Sequence, residues 1–403
     1  MDVGATAGST EQAGVFRRRV LYIPGYDPFP PRRYRELYRT EGAAQAAISG
    51  YALTIQPREG ETYGWRVAAE MEGRKVETEV EVLVWADLVR DSMGRGIAGT
   101  YWLLARTAWT YGASGALARL VRLRKGPMIA ALYPAVLLLV QGLVALGVGL
   151  LVVWLLPWGA ADWIAAALAA WAVLEGFRRI DRRLFVYYLM HDYAFTAVAR
   201  GAYPAALESR LLAFRARARA ALDSGVDEVL VVGHSSGVHL GVSLLADLIR
   251  EGVQGGPALG FLSLGQAVPM VSYLPGAGRL RGDLAYLSTR QELTWVDVTA
   301  PGDGCSFALC DPVAVSGVAP PGQVWPLVIS AAFSQTLSPE RWEALRRRFF
   351  RLHFQYLCAF DRPGDYDYFR ITAGPVTLAE RFRGRKPSAS RIVTALSPYR
   401  DVA

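Results

Sequence analysis

The chain has 403 residues, enough for one large domain with insertions or two smaller ones, and hydrophobic residues make up 52% of it. The formal net charge of +8 and pI of about 9.4 suit anionic lipid better than nucleic acid, because much of the arginine flanks apolar segments rather than interleaving with aromatics. Three scattered cysteines, Cys305, Cys310 and Cys358, argue against a disulfide framework and a structural zinc site and suit a reducing compartment.

Met1–Gly14 is small and polar with no apolar core, and reads as a disordered tail (1–14) rather than a signal peptide. Val20–Ile23 is a short β-branched and aromatic run, the first core strand, ending in the loop Pro24-Gly25-Tyr26-Asp27-Pro28. Arg32–Ile48 has helical character. Residues 51–90 alternate, which predicts two or three strands with turns at 57–61 and 72–75, the last strand joining the main sheet. Residues 15–96 thus read as the first part of an α/β domain.

An interruption follows over 97–200. Residues 97–125 are helical and aromatic and end in Arg119, Arg122, Arg124 and Lys125. Met128–Leu156 then runs for 29 residues without a charge, with Gln141 its one strongly polar side chain. That is long enough to cross a bilayer. A short link without Lys or Arg leads to a second, Ala-rich apolar run at about 161–177, closed by Arg178, Arg179, Arg182 and Arg183. Small residues, among them Gly142, Gly147 and Gly149, allow the two runs to pack closely. Basic residues at both outer ends and none at the tip predict a hairpin with both flanks on the cytoplasmic side of the cell membrane. Both halves of the sheet then lie on one side, as a single sheet requires.

Leu184–Arg200 reads as a helix with Tyr187, Tyr188 and Tyr193 near the membrane surface, and Ala205–Leu222 as a further helix. The second part of the α/β domain, 201–381, contains strands at Leu259–Leu264 and Leu293–Thr299, and helices at Arg279–Leu287 and Ser338–Phe350. The segment 382–403 is basic and polar and reads as a loosely ordered tail.

The stretch that organises the chain is 226–240. Val229–Val232 is an apolar run typical of a buried parallel strand. It runs into Gly233-His234-Ser235-Ser236-Gly237 and then into the helical pattern of Val238–Arg250. Strand, G-x-S-x-G and helix form the context of a nucleophile elbow. So tight a turn strains its central residue and leaves no room for side chains two positions to either side. The serine hydroxyl then stands at a helix N-terminus, where the dipole favours negative charge.

These motifs and their order resemble the α/β-hydrolase superfamily, most nearly its lipases and esterases, over roughly 20–90 and 200–360. The resemblance implies a mostly parallel sheet flanked by helices, here interrupted by the transmembrane hairpin. It implies that Ser235 is the nucleophile and that Ser236, with Gly25 or Tyr26 in the loop after the first strand, supplies the oxyanion hole. It also implies the order serine, acid, histidine. Of four histidines, His191 precedes the serine, His234 lies inside the elbow and His239 one turn beyond it. His353 is left as the base. Asp303, just past the strand at 293–299, matches the position of the acid, with Asp311 as runner-up, and Asp303 in Pro-Gly-Asp-Gly also suits a plain turn.

The expectation is a membrane-anchored serine hydrolase that cleaves an acyl ester or lipid. Its rivals are an inactive hydrolase-fold scaffold and an acyltransferase with a lipid alcohol as acceptor. No Walker loop, HExxH or GxGxxG is present, so no cofactor or metal is expected.

Overall fold

The computed structural model describes residues 15–402 except positions 61, 158 and 254. The expected tail 1–14 lies outside the described residues. Eight strands form one sheet in the order β2-β3-β4-β1-β5-β6-β7-β8. They are β1 (Phe16–Ile23), β2 (Ala52–Pro57), β3 (Gly64–Met71), β4 (Arg74–Val82), β5 (Glu228–His234), β6 (Ala258–Leu264), β7 (Leu293–Thr299) and β8 (Leu327–Ser330). Every neighbouring pair is parallel except those made by β3.

Strand periodicity splits the core between the two faces. Val20, Tyr22, Leu230 and Val232 point to one side, and Leu21, Ile23, Val229 and Val231 to the other. Helix α1 (Arg32–Ser49) packs on the first face through Tyr34 and Tyr38. Three helices intervene before the hairpin: α2 (Ala86–Ser92), α3 (Ile97–Ala113) and α4 (Ala116–Leu123). The hairpin is α5 (Lys125–Leu155) and α6 (Ala160–Arg179), and the chain returns through α7 (Asp181–Leu184) and α8 (Val186–Ala197). Helices α9 (Ala205–Leu222) and α10 (Gly237–Arg250) cover the second face through Leu207, Phe214, Val238 and Leu245.

β1 begins four residues before the expected Val20, and the reason is Arg18. Its side chain lies inside, with Nε 2.5 Å from the Glu228 carboxylate on β5. Its remaining donors reach the carbonyls of Gly374 and Val376 at 2.8 and 2.6 Å.

The hairpin exposes the face that a soluble helix would bury. Leu143, Trp154 and Ile164 are 67%, 79% and 67% exposed. Helices α5 and α6, of mean hydropathy 2.7 and 1.4, are both long and apolar enough to cross a membrane. They approach closely at Gly149, where an added Cβ would stand 3.3 Å from the Ala166 carbonyl. Gly142 instead faces Tyr101 of α3, and the Tyr101 hydroxyl donates to the Leu138 carbonyl at 2.9 Å. Gly147 meets nothing within 4 Å, so its expected packing role is not realised.

Two further expectations need correction. The helix anticipated over Ser338–Phe350 is broken. Ser338 caps Pro339–Leu345, accepting from the Arg341 amide at 3.2 Å, but the backbone leaves the helix at Arg348 and restarts as Phe349–His353. The tail after Arg381 is not loose. The Ser388 amide donates to Val328 of β8, Ile392 bridges Cys310, and Asp401 pairs with the buried Arg281 at 2.7 Å. Strand β8 itself, four residues just after Pro326, was not anticipated.

Candidate active site

Three loops meet at the C-terminal ends of the parallel strands, the edge where open α/β sheets bind ligands. They follow β1, β5 and β7 and carry Gly25, Ser235 and Asp303.

The turn after β5 has the expected strain. Ser235 takes φ +56°, in the left-handed region that non-glycine residues avoid at a cost of about 1–3 kcal/mol. A Cβ on Gly233 would come within 2.9 Å of the Gly237 carbonyl oxygen, and one on Gly237 within 2.2 Å of that of Ile23. Neither position accepts a side chain. The Ser235 amide is anchored to the Leu264 carbonyl at 2.9 Å. The loop after β1 presses against this turn, so that a Cβ on Gly25 would stand 3.0 Å from Ser235 Cβ and 3.5 Å from its Oγ. Among the described residues, the amides of Gly25, Tyr26 and Ser236 donate to no protein acceptor.

The Gly25–Tyr26 loop is held from several sides. Trp85 Nε1 donates to the Pro24 carbonyl at 2.9 Å, and the Tyr26 hydroxyl lies 2.5 Å from Ser92 Oγ on α2. The Tyr188 hydroxyl of α8 donates to the Tyr26 carbonyl. Part of the insertion therefore fixes the loop beside the serine.

His353 and Asp303 come together. His353 Nδ1 lies 2.8 Å from Asp303 Oδ2, and the Tyr356 hydroxyl donates to the same oxygen at 3.0 Å. Asp303 Oδ1 accepts from the Cys305 amide at 2.9 Å. Burial alone would raise the Asp303 carboxyl, but the His353 ring and these hydrogen bonds hold it below the ordinary carboxylate value. His353 Nε2 is buried and has no partner among the described residues. It lines the same cavity as Ser235 without a direct hydrogen bond to it, as is frequent before substrate tightens a site.

The other candidates are otherwise engaged. Asp311 caps the short helix Pro312–Val315, accepting from the Val313 and Ala314 amides at 3.0 and 3.1 Å. Asp297 lies within β7, accepts from Ser263 Oγ at 2.6 Å, and is pushed by burial up to about 8. His234 Nε2 contacts the His353 carbonyl at 3.0 Å, and burial, then the His353 charge, lower it to about 3. His239 is lowered by burial to about 3, with Nδ1 3.0 Å from the Tyr203 hydroxyl. His191 Nδ1 bonds the Tyr187 carbonyl at 2.7 Å.

Asp303, Cys305 and His353 also offer three donor atoms within 4.8 Å of one another. Burial, reinforced by Asp303 and Asp192, raises the Cys305 thiol well above its ordinary value, and metals bind thiolate. His353 Nδ1 already faces Asp303. The donor set fits an acid–histidine pair better than a metal centre.

Sequence reasoning missed much of the cavity wall. Tyr188, Asp192, Tyr193 and Phe195 of α8 line it, although that helix reads as a membrane-surface element. An open groove shares Asp27, Tyr188, Phe350 and Phe354 with the cavity and continues to Arg178, Arg179 and Arg182 beyond the second apolar helix. At the start of the first, a Cβ on Gly126 would stand 3.5 Å from Gly304 Cα in the Asp303 loop. One signal was available: Asp192 is the single charge between Val186 and Val198, in a segment rich in aromatics. No protein-family model, curated protein or solved structure matches the chain.

Proposed function

We propose that the protein is a membrane-anchored serine hydrolase of α/β-hydrolase type, cleaving an acyl ester through an acyl-enzyme at the cytoplasmic face of the cell membrane. One observation carries the reading: Ser235, strained at a strand-to-helix turn, shares a cavity with His353, whose Nδ1 is paired to Asp303, and with three uncommitted amides. In this reading Ser235 Oγ attacks the ester carbonyl as His353 Nε2 takes its proton. Asp303 holds the proton on Nδ1 and stabilises the imidazolium. The amides of Ser236 and of Gly25 or Tyr26 receive the charge that develops on the carbonyl oxygen. His353 returns the proton to the departing alcohol, and water cleaves the acyl-enzyme by the same route.

The anchor and the site are neighbours. The first apolar helix starts against the Asp303 loop, and the second ends at the groove that leads to the cavity. Arg119, Arg122, Arg124 and Lys125 before the hairpin, and Arg178, Arg179, Arg182 and Arg183 after it, favour a cytoplasmic position for both ends. A fluorophosphonate probe applied to membrane fractions tests the chemistry. It labels the wild-type protein and leaves Ser235→Ala unlabelled; equal labelling of the two sinks the proposal.

A further inference from the structure

Asp192 takes no part in the mechanism above. It projects from α8 into the wall of the catalytic cavity and accepts no hydrogen bond among the described residues. Its surroundings are rings. Tyr26, Trp85, Tyr188 and Phe195 form one contiguous aromatic wall, with centroids 6.1 Å apart for Tyr26–Trp85, 6.1 Å for Tyr26–Tyr188, 5.6 Å for Tyr26–Phe195 and 5.8 Å for Trp85–Phe195. Tyr111 and Tyr193 line the same space. Burial raises the hydroxyls of Tyr26, Tyr111, Tyr188 and Tyr193, which stay neutral. The other acid in the lining, Asp27, is occupied by Tyr34 at 2.5 Å and Arg33 at 3.0 Å.

A carboxyl in such a place is poorly solvated and has no cation of its own. Burial lifts it to about 7, opposed only by the charge of the His353 ring. A fixed cation would have been the simple way to satisfy it, and among the described residues no lysine or arginine lines the cavity. Aromatic faces carry negative quadrupole density and attract a cation that has shed water. A methylated ammonium matches both features: it carries the charge Asp192 lacks and donates no hydrogen bonds that rings would leave unmet.

We infer that Asp192 and the aromatic wall of Tyr26, Trp85, Tyr188 and Phe195 form a subsite for a quaternary ammonium group carried by the ester substrate. The inference rests on the hydrolase reading for the identity of the cleaved bond, but the subsite itself is defined by binding. It assigns to the insertion a role in choosing the substrate.

The test separates the two. Full-length Ser235→Ala protein in detergent micelles is titrated calorimetrically with butyrylcholine, with the butyl ester of betaine, and with the uncharged isostere 3,3-dimethylbutyl butyrate. The first two place the cation on the alcohol and acyl sides of the ester. At least one cationic ester binds tenfold or more tightly than the neutral one, and the preference falls to about unity when Asp192→Asn is added. Phe195→Leu, read the same way, lowers the preference and serves if Asp192→Asn is not recovered folded. Equal binding of all three esters, or a preference that survives Asp192→Asn, overturns the inference. Because no turnover is needed, a failure to label Ser235 leaves this result readable, and a lost preference leaves the labelling result intact.

Discussion

Asp303→Asn is the sharpest probe of the acid–histidine pair. The carboxylate has two oxygens and both are committed. Oδ2 accepts from His353 Nδ1 at 2.8 Å and from Tyr356 at 3.0 Å, while Oδ1 accepts from the Cys305 amide at 2.9 Å. An asparagine keeps one oxygen. If that oxygen serves Cys305, the new NH2 group faces Nδ1 and drives the ring proton onto Nε2, where no base remains for Ser235. If it serves His353, the NH2 group confronts the Cys305 N–H, and no negative charge is left for the imidazolium. Either way the loss falls on the transition state. We expect kcat for a p-nitrophenyl ester to drop by about 10³–10⁴-fold, equivalent to ~4–5.5 kcal/mol, with KM little changed. Tyr356→Phe removes one neutral donor and keeps the carboxylate, so its loss stays within about tenfold, ~1 kcal/mol. Turnover by Asp303→Asn within tenfold of wild type, in protein with unchanged melting temperature, would refute the pairing as the source of the base.

Three further outcomes follow from other parts of the molecule. Arg18→Met leaves Glu228 buried without its partner and destabilises by roughly 3–5 kcal/mol in denaturant titration; adding Glu228→Leu recovers part of this, and simple additivity would show that the two are uncoupled. Burial lowers His239 to about 3, so below the unfolded value of about 6.5 the unfolded chain binds the extra proton and stability falls with pH; between pH 6.5 and 5 wild type loses about 1.5 kcal/mol more than His239→Gln, and parallel profiles would contradict this. In a background without the native cysteines, Ala160→Cys at the hairpin tip reacts with an impermeant maleimide only in right-side-out vesicles and Arg122→Cys only in inside-out ones; labelling of both in the same preparation rules out the proposed topology.

What the sequence made legible is what local physics determines. The buried parallel strand β5 and the glycines around Ser235 announce themselves, because the turn tolerates little else. The apolar runs that became α5 and α6 were equally plain. Long-range pairing was not legible. The expected first strand began only at Val20, and only Glu228, 210 positions away from Arg18, explains an arginine inside the sheet. The helix expected over Ser338–Phe350 runs straight through Arg348, whereas the backbone breaks there and a new helix ends at His353. The periodicity of Ser338–Phe350 carries no trace of that turn, since His353 is aimed by its tertiary partner Asp303. Asp192 was overlooked for a related reason. A lone acid among aromatics has meaning only when the opposite wall is known, and that wall comes from β1, α2 and the elbow.

The insertion also bears on why an α/β sheet and a hairpin of two apolar helices share one chain. A mere tether could be attached at either terminus without touching the site. Here it enters between β4 and β5, and its return helix α8 contributes Tyr188, which holds the Gly25–Tyr26 loop, and Asp192, Tyr193 and Phe195, which line the cavity. In the proposed hydrolase, the elements that anchor the protein also complete the oxyanion loop and the substrate wall. Removing 97–200 would therefore do more than release a soluble enzyme: it would strip the loop beside Ser235 of the Tyr188 hydrogen bond and open the cavity to water. The strained serine needs both the turn that raises it and the insertion that encloses it.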